Sequence, residues 1–299
     1  MSRAGRGAAF ARVALAGNPS DGYGGRTLAV VVRDFVATAT AGPSDADSID
    51  SPGPGGEELM RATLERFRAR VGPGHPVALS CETNVPREVG LAGSSAIVIA
   101  CARALCDLCG RTLAQDELAR EALAVELEDL GIAAGLQDRV VQARETLVAM
   151  DFAERPRYEE LDPSLLPPLF VAWHPEAASP SGVTHSALRE RHAAGDPGVT
   201  GAMSRLADLA LAARECLLAH DHAAFAACMD GSFDERRRII QVDQLTIAMV
   251  EAARAAGAAA NSAGSGGAIV GTVPSEEAWA EIRKRLDELG ASSIRPRCP

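Results

Sequence analysis

Lysine is almost missing from this chain: Lys284 is the only one among 30 basic residues. A phosphate-gripping or catalytic lysine is therefore nearly excluded, and such work must fall to arginine. The lysine-bearing phosphate loop G-x-x-x-x-G-K-[ST] is absent, as is a strand-anchored dinucleotide fingerprint. No apolar run approaches the length needed to span a membrane. Aromatic residues make up only 4% of the chain. Positive charge is in deficit too: the formal net charge is −10, which argues against nucleic acid and against membrane surfaces as partners. An anionic ligand would need locally placed arginines or a metal ion. Cys106 and Cys109 form a C-x-x-C, but no second pair or histidine cluster accompanies it, so zinc and redox chemistry are not expected there. Seven cysteines is an odd number, and Cys101, Cys106 and Cys109 lie in an apolar segment where cysteine acts as a small hydrophobe. That usage fits a reducing, cytoplasmic setting. Arg12 interrupts the apolar part of the N-terminal stretch, so a signal peptide is not expected.

What remains is globular. With 299 residues, 47% hydrophobic and 23% charged, the chain can bury a full core as one large domain or two modest ones. Strands are expected over Phe10–Leu15, Leu28–Thr40 (one or two), Val77–Glu82, Thr146–Phe152, Leu169–Trp173 and Ile269–Val273. Helices are expected over Glu57–Arg70, Ile97–Leu108, Leu113–Leu130, Val199–His220, His222–Met229, Ile247–Ala256 and Glu276–Leu289. In the third of these, Leu118, Leu123 and Leu127 mark the apolar stripe. Gly42–Gly56 reads as a mobile surface loop without chemistry, and Pro156–Pro168 as the boundary between two halves, 1–165 and 166–299. Strands and helices occur without strict βαβ alternation, so the expected class is α+β. There is no internal repeat.

The most informative stretch is Val85–Ile97. A glycine-rich turn ends in two hydroxyls and runs into an alanine-rich apolar segment. A loop feeding a buried helix offers unpaired N–H groups and the positive end of the helix dipole, which suits phosphate. Two other glycine-rich segments stand beside a strand, Gly17–Gly25 and Gly264–Gly267, far apart in sequence.

Three such loops in this order resemble the GHMP kinase superfamily, and the resemblance covers nearly the whole chain. The second loop runs Pro86, Gly90, Leu91, Ala92, Gly93, Ser94, Ser95, Ala96, with one residue more than the family pattern between the leucine and the serines. The resemblance implies a two-lobed fold, an N-terminal lobe like domain 2 of ribosomal protein S5 and a ferredoxin-like C-terminal lobe. It also implies that ATP is held by Pro86, Gly90 to Ala96, and Gly264, Ser265 and Gly266. A helix glutamate, Glu126, precedes Asp138 of Gly135-Leu136-Gln137-Asp138 by twelve residues, as in galactokinase-like members. By this resemblance Glu126 and Ser95 hold Mg2+, with Glu128 as second choice. Asp138 then faces the acceptor hydroxyl as base or through its field, and Arg12 orients it and balances charge. Arg12, Asn18, Asp21, Asp138 and Gly264 are the implied substrate contacts.

Several phrases outside the general motifs resemble the glucuronokinases of plants: Leu15–Asp21, Thr83–Arg87, Gly135–Val140 and Met150–Phe152. The implied reaction is ATP-dependent phosphorylation of the anomeric hydroxyl of a sugar acid, D-glucuronate first. Neutral Asn18 stands where galactokinase-like enzymes carry an acid that would repel a uronate. Arg12, Arg26, Arg87 and Arg139 lie near the motif loops and suit a carboxylate-bearing sugar. The run Arg236-Arg237-Arg238 is by default a solvated helix face, though one of its arginines can meet the acceptor's carboxylate. His174 and His185 read as structural histidines, and His220 and His222 are two apart on a helix and form no metal pair. The alternatives are another acceptor (galacturonate, another sugar or a mevalonate-like alcohol) and a non-catalytic sensor of ATP and sugar. Oligomeric state is not encoded in any visible pattern.

Overall fold

The computed structural model describes residues 4–177 and 188–299. In chain order the elements are β1 Gly5–Ala16, β2 Arg26–Pro43, β3 Ser48–Asp50, α1 Gly56–Val71, β4 Val77–Thr83, α2 Gly93–Leu108, α3 Gln115–Ala124 and α4 Gln137–Arg144. Then follow β5 Leu147–Asp151, β6 Arg157–Leu161, β7 Leu169–Trp173, α5 Pro197–Leu218, α6 His222–Ile239, α7 Gln244–Ala255, β8 Ala260–Ser262, β9 Ala268–Thr272, α8 Glu276–Glu288 and β10 Ser292–Ile294. The chain groups into two compact units. One comprises residues 1–11, 33–85 and 92–145; the other comprises 12–32, 86–91 and 146–299. β1 and β2, which pair with each other, each contribute residues to both.

In the first unit the distal part of β2 pairs antiparallel with β4, Ala37 opposite Thr83 and Pro43 opposite Val77. β3 adds to β4 in parallel. The core helix is α2, whose residues from Ser95 to Cys106 are almost all buried. It lies so close to β1 that a Cβ on Gly5 or Gly7 would strike its backbone at Ala104 and Ala100. The small Ala-rich face of α2 and two strand glycines thus permit backbone-to-backbone approach. The Gly42–Gly56 segment is not the featureless loop expected. It contains β3, and Asp47 takes a two-pronged ion pair from Arg68 (2.6 and 2.9 Å) and the Val77 N–H (2.8 Å). The Arg68 bond is the main reason its carboxyl is held below the ordinary value.

In the second unit the proximal part of β2 pairs antiparallel with β5, and β5 with β6. β6 occupies the proline-rich stretch read as a boundary. A separate antiparallel sheet runs β10-β7-β9-β8. Its core joins Phe170, Ile269, Phe233, Met249, Val250, Ile282 and Leu286. Two helix starts, Pro197 and Gln244, lie two and three residues earlier than apolar periodicity alone suggests, because aspartates cap them: Asp196 accepts from Gly198 N and Asp243 from Leu245 N, each at 2.8 Å. α6 runs ten residues beyond its expected end at Met229, straight through Gly231. Gly231 faces Leu209 of α5, where a Cβ would sit 3.1 Å from the leucine side chain, so the glycine serves packing rather than termination. His220 lies in the turn before α6 rather than on a helix with His222. The α+β class holds. No helix among the described residues is long and apolar enough to cross a membrane.

Candidate functional site

The sequence-predicted residues divide between the units. Ala92 to Ala96, Glu126 and Asp138 belong to the first, while Arg12, Asn18, Asp21, Pro86, Gly90, Leu91 and Gly264 to Gly266 belong to the second.

In the first unit, α2 begins at Gly93, so Ser94 and Ser95 lie inside its first turn rather than in the preceding loop. No side chain caps this end, which leaves first-turn N–H groups available to an anion. Ala92, the residue beyond the family pattern, adopts a left-handed conformation at φ 62°, a strained one for a residue with a Cβ. Its carbonyl is held by three donors: Ala96 N (3.1 Å), Ser95 Oγ (3.1 Å) and Gln142 Nε2 (3.0 Å). Gln142 is fully buried and also donates to Phe10 O at 2.8 Å. This glutamine carries no sequence signal that marks it, because only the fold brings it under the loop.

Glu126 lies in a single π-helical turn, Val125–Asp129, that continues α3. The extra residue per turn shifts the phase of the apolar stripe. Leu127, expected inside, is 39% exposed, while Glu126 is 2% exposed. One Glu126 oxygen accepts from Ser94 Oγ at 3.0 Å, and the other is ion-paired with Arg139, itself buried. Arg139 also donates to Gly135 O (2.6 Å), and its Nη1 stands 3.6 Å from Asp138 Oδ2. One guanidinium therefore gathers both carboxylates singled out in the sequence. Arg139 is engaged by these groups, which corrects the expectation that it meets a sugar carboxylate. The Ser94 hydroxyl and the Glu126 carboxylate are adjacent hard oxygen donors, a set that fits Mg2+. Ser95 is fully buried, its hydroxyl donating to Ala92 O. Glu128, the second choice, is drawn instead to Arg66 at 2.6 Å.

In the second unit the glycine turns of motifs two and three meet backbone to backbone. A Cβ on Gly90 would lie 2.8 Å from Gly266 O and from Ser265 N, and one on Gly264 would collide with Gly90 O. Arg12 is 4% exposed, and its Nη1 donates to Ala263 O (2.6 Å) and Gly90 O (2.9 Å). Asn18 is buried in an amide network. Its Oδ1 accepts from Asn261 Nδ2 (3.2 Å), its Nδ2 donates to Ser262 O (3.4 Å), and Asn261 Nδ2 also reaches Leu15 O. Asp21 lies half-buried on the following turn, Ser20–Tyr23. Pro86 is half-buried and Leu91 buried. Of the remaining arginines, Arg26 is paired with Asp151 at 2.8 Å and Arg87 is exposed. His174 accepts from Glu176 N through Nδ1, a structural role; His185 lies outside the described residues. Since Gly90 is at φ 80° and has no room for a Cβ, Gly90→Ala is expected to lower stability by about 1–3 kcal/mol. Urea denaturation checks this; a loss below the lower limit would mean that the paired turns shift freely.

The Ser94 and Glu126 oxygens of the first unit can thus accommodate a hard divalent cation. The family model for the GHMP kinases N terminal domain matches residues 58–145. The chain is 34% identical to Glucuronokinase 1 of Arabidopsis thaliana, over 97% of this chain and 92% of that protein. It is 36% identical to Probable glucuronokinase 2 of the same plant, over 87% and 82% respectively. Among solved structures, Lactococcus lactis galactokinase complexed with galactose superposes with a TM-score of 0.84 at 15% identity, covering 99% of this chain and 94% of that one. Streptococcus pneumoniae phosphomevalonate kinase in complex with phosphomevalonate and AMPPNP gives 0.82 at 17%, covering 98% and 99%. The chain belongs to the GHMP kinase superfamily and has its fold.

Proposed function

We propose that this chain is an ATP- and Mg2+-dependent sugar kinase that phosphorylates the anomeric hydroxyl of D-glucuronate, giving glucuronate 1-phosphate. The observation that carries the reading is the convergence of Ser94, Glu126 and Asp138 around Arg139, in a chain similar to glucuronokinases along nearly its full length. Residues 1–165 supply most of the nucleotide and metal contacts, and 166–299 form the C-terminal half. Seven cysteines, all free, suit a cytoplasmic enzyme.

Phosphoryl transfer needs positioning and charge stabilisation more than covalent chemistry. The uncapped N-terminus of α2 takes ATP phosphate, and the Gly90 and Gly264–Gly266 turns are assigned to the nucleotide by the likeness to the GHMP kinases. Glu126 and the Ser94 hydroxyl beside it would hold Mg2+, which when bound would neutralise phosphate charge; Ser95, its hydroxyl turned to Ala92 O, supports the loop instead of the metal. Asp138 takes the proton of the attacking hydroxyl, early or late along the reaction. Arg12 supplies fixed positive charge for the transition state. Asp21 meets sugar hydroxyls, while Asn18, spent on its buried amide network, adds no negative charge that would repel a uronate.

An ADP-release assay over D-glucuronate, D-galacturonate, glucose, galactose and mevalonate tests this. Loss of one charged hydrogen bond is worth about 1.5–3 kcal/mol, so D-glucuronate should exceed the neutral sugars in kcat/KM by about tenfold or more. A preference for glucose, galactose or mevalonate overturns the acceptor assignment. ATP binding without turnover of any acceptor would instead indicate a sensor.

A further inference from the structure

Among the described residues, Arg236 is the one buried arginine of the second unit to which the proposed chemistry gives no work. It lies on α6 one turn after Ser232, whose hydroxyl accepts from Gly17 N at 3.3 Å, so the same helix face meets the first glycine turn. Arg237 and Arg238, which follow it, are exposed, as expected for a solvated run, but Arg236 is only 2% exposed. Its Nη2 donates to Ser265 O at 3.2 Å. Its Nε is buried without a hydrogen-bond partner, and no salt bridge to a carboxylate is formed among the described residues. Burial, followed by repulsion from Arg12, pushes its pKa down to about 10, and Asp21 acts the other way.

Arg12 and Arg236 bracket one glycine. Arg12 holds the carbonyl of Ala263 and Arg236 that of Ser265, and a Cβ on Gly264 between them would come within 2.9 Å of both Nη atoms of Arg12. A guanidinium carries five N–H donors. Burying one on a single carbonyl, beside a second guanidinium, is costly unless an anion completes it. The oxygens around the pair are the carbonyls of Gly90, Ala263 and Ser265 and the carboxylate of Asp21. With two guanidiniums against the single Asp21 carboxylate the site keeps a net positive charge and attracts an anion, and a planar carboxylate matches the guanidinium fork.

We propose that Arg236 is the receptor for the carboxylate of the sugar-acid acceptor and decides uronate against neutral sugar. This rests on the reading of the chain as a sugar-acid kinase. Arg236→Gln should raise KM for D-glucuronate by about 10- to 100-fold, the worth of a charged hydrogen bond. KM for ATP and kcat/KM for glucose should stay unchanged. Arg236→Lys should recover part of the loss, since it restores charge but not the planar fork. Arg237→Gln, on the exposed side of the helix, should behave as wild type.

A merely structural brace would move all substrates together. Equal loss for D-glucuronate, glucose and ATP in Arg236→Gln therefore overturns the proposal, as does unchanged uronate preference. If the glutamine variant does not fold, Arg236→Lys carries the test alone: it must raise KM for D-glucuronate and leave glucose untouched, and any other pattern rejects the assignment. Wild-type enzyme inactive on every uronate brings down the kinase reading itself. Wild-type preference for uronates that survives in Arg236→Gln removes only Arg236.

Discussion

Asp138→Asn is expected to lower kcat by about 10²–10⁴-fold, the range a positioned proton acceptor contributes, with Kd for ATP nearly unchanged. The substitution preserves shape and removes the charge and the basic oxygen. Asp138 stands in the first turn of α4, next in sequence to Arg139, which secures the local backbone through Gly135 O and the buried pair with Glu126. The asparagine variant should therefore keep its fold, and the loss should appear in the chemical step. Single-turnover kinetics separates that step from binding, and calorimetry with ATP supplies the second number. Persistent turnover would remove Asp138 from its role. Loss of ATP binding along with turnover would make it a nucleotide contact instead.

The second large effect concerns stability. Arg139→Met strands Glu126 as a buried carboxylate with only the Ser94 hydroxyl beside it. Removing one partner of a buried ion pair destabilises by about 3–5 kcal/mol. The double variant Arg139→Met/Glu126→Gln should be more stable than Arg139→Met alone, because the uncompensated charge has gone. The loss in the double variant minus the sum of the two single losses is the coupling energy of the double-mutant cycle. Urea midpoints of the four proteins measure it. Additive losses would show that water reaches Glu126 and that Arg139 holds nothing in register. Glu126→Gln alone should fold and lose magnesium-dependent activity, which separates the stabilising role of the pair from the ligand role of the carboxylate.

Much of the architecture was legible because apolar periodicity and turn residues are local signals. The strands at Val77, Thr146, Leu169 and Ile269 and the helices from Glu57 and Glu276 fall within about two residues of expectation. The departures each have a physical cause. Leu127 was read as core because an α-helix repeats every 3.6 residues, and a π turn breaks that arithmetic just where a carboxylate must point inward. The helix from His222 was expected to end at Met229, yet it continues through Gly231 to Ile239, where a Cβ on Gly231 would sit 3.1 Å from the Leu209 side chain of α5. β8 and β10 have three residues each, too few for any pattern to show. The candidate site was legible only as a set of loops. Gln142 and the buried orientation of Arg236 were not, since a glutamine in α4 and an arginine in a basic run look like solvent-facing residues until the fold encloses them.

The chain by itself determined its class. Scarce lysine left the basic chemistry to arginine, and the three glycine turns with the Glu126 to Asp138 interval carried the resemblance to the GHMP kinases. Those properties are properties of neighbours along the backbone. Only tertiary structure decided how charges are shared: that Arg139 takes both carboxylates, that Arg12 takes the two glycine turns, and that Arg236 is left with a bare Nε. Pairing of buried charges depends on which groups burial deprives of water together, and the sequence order does not contain that information.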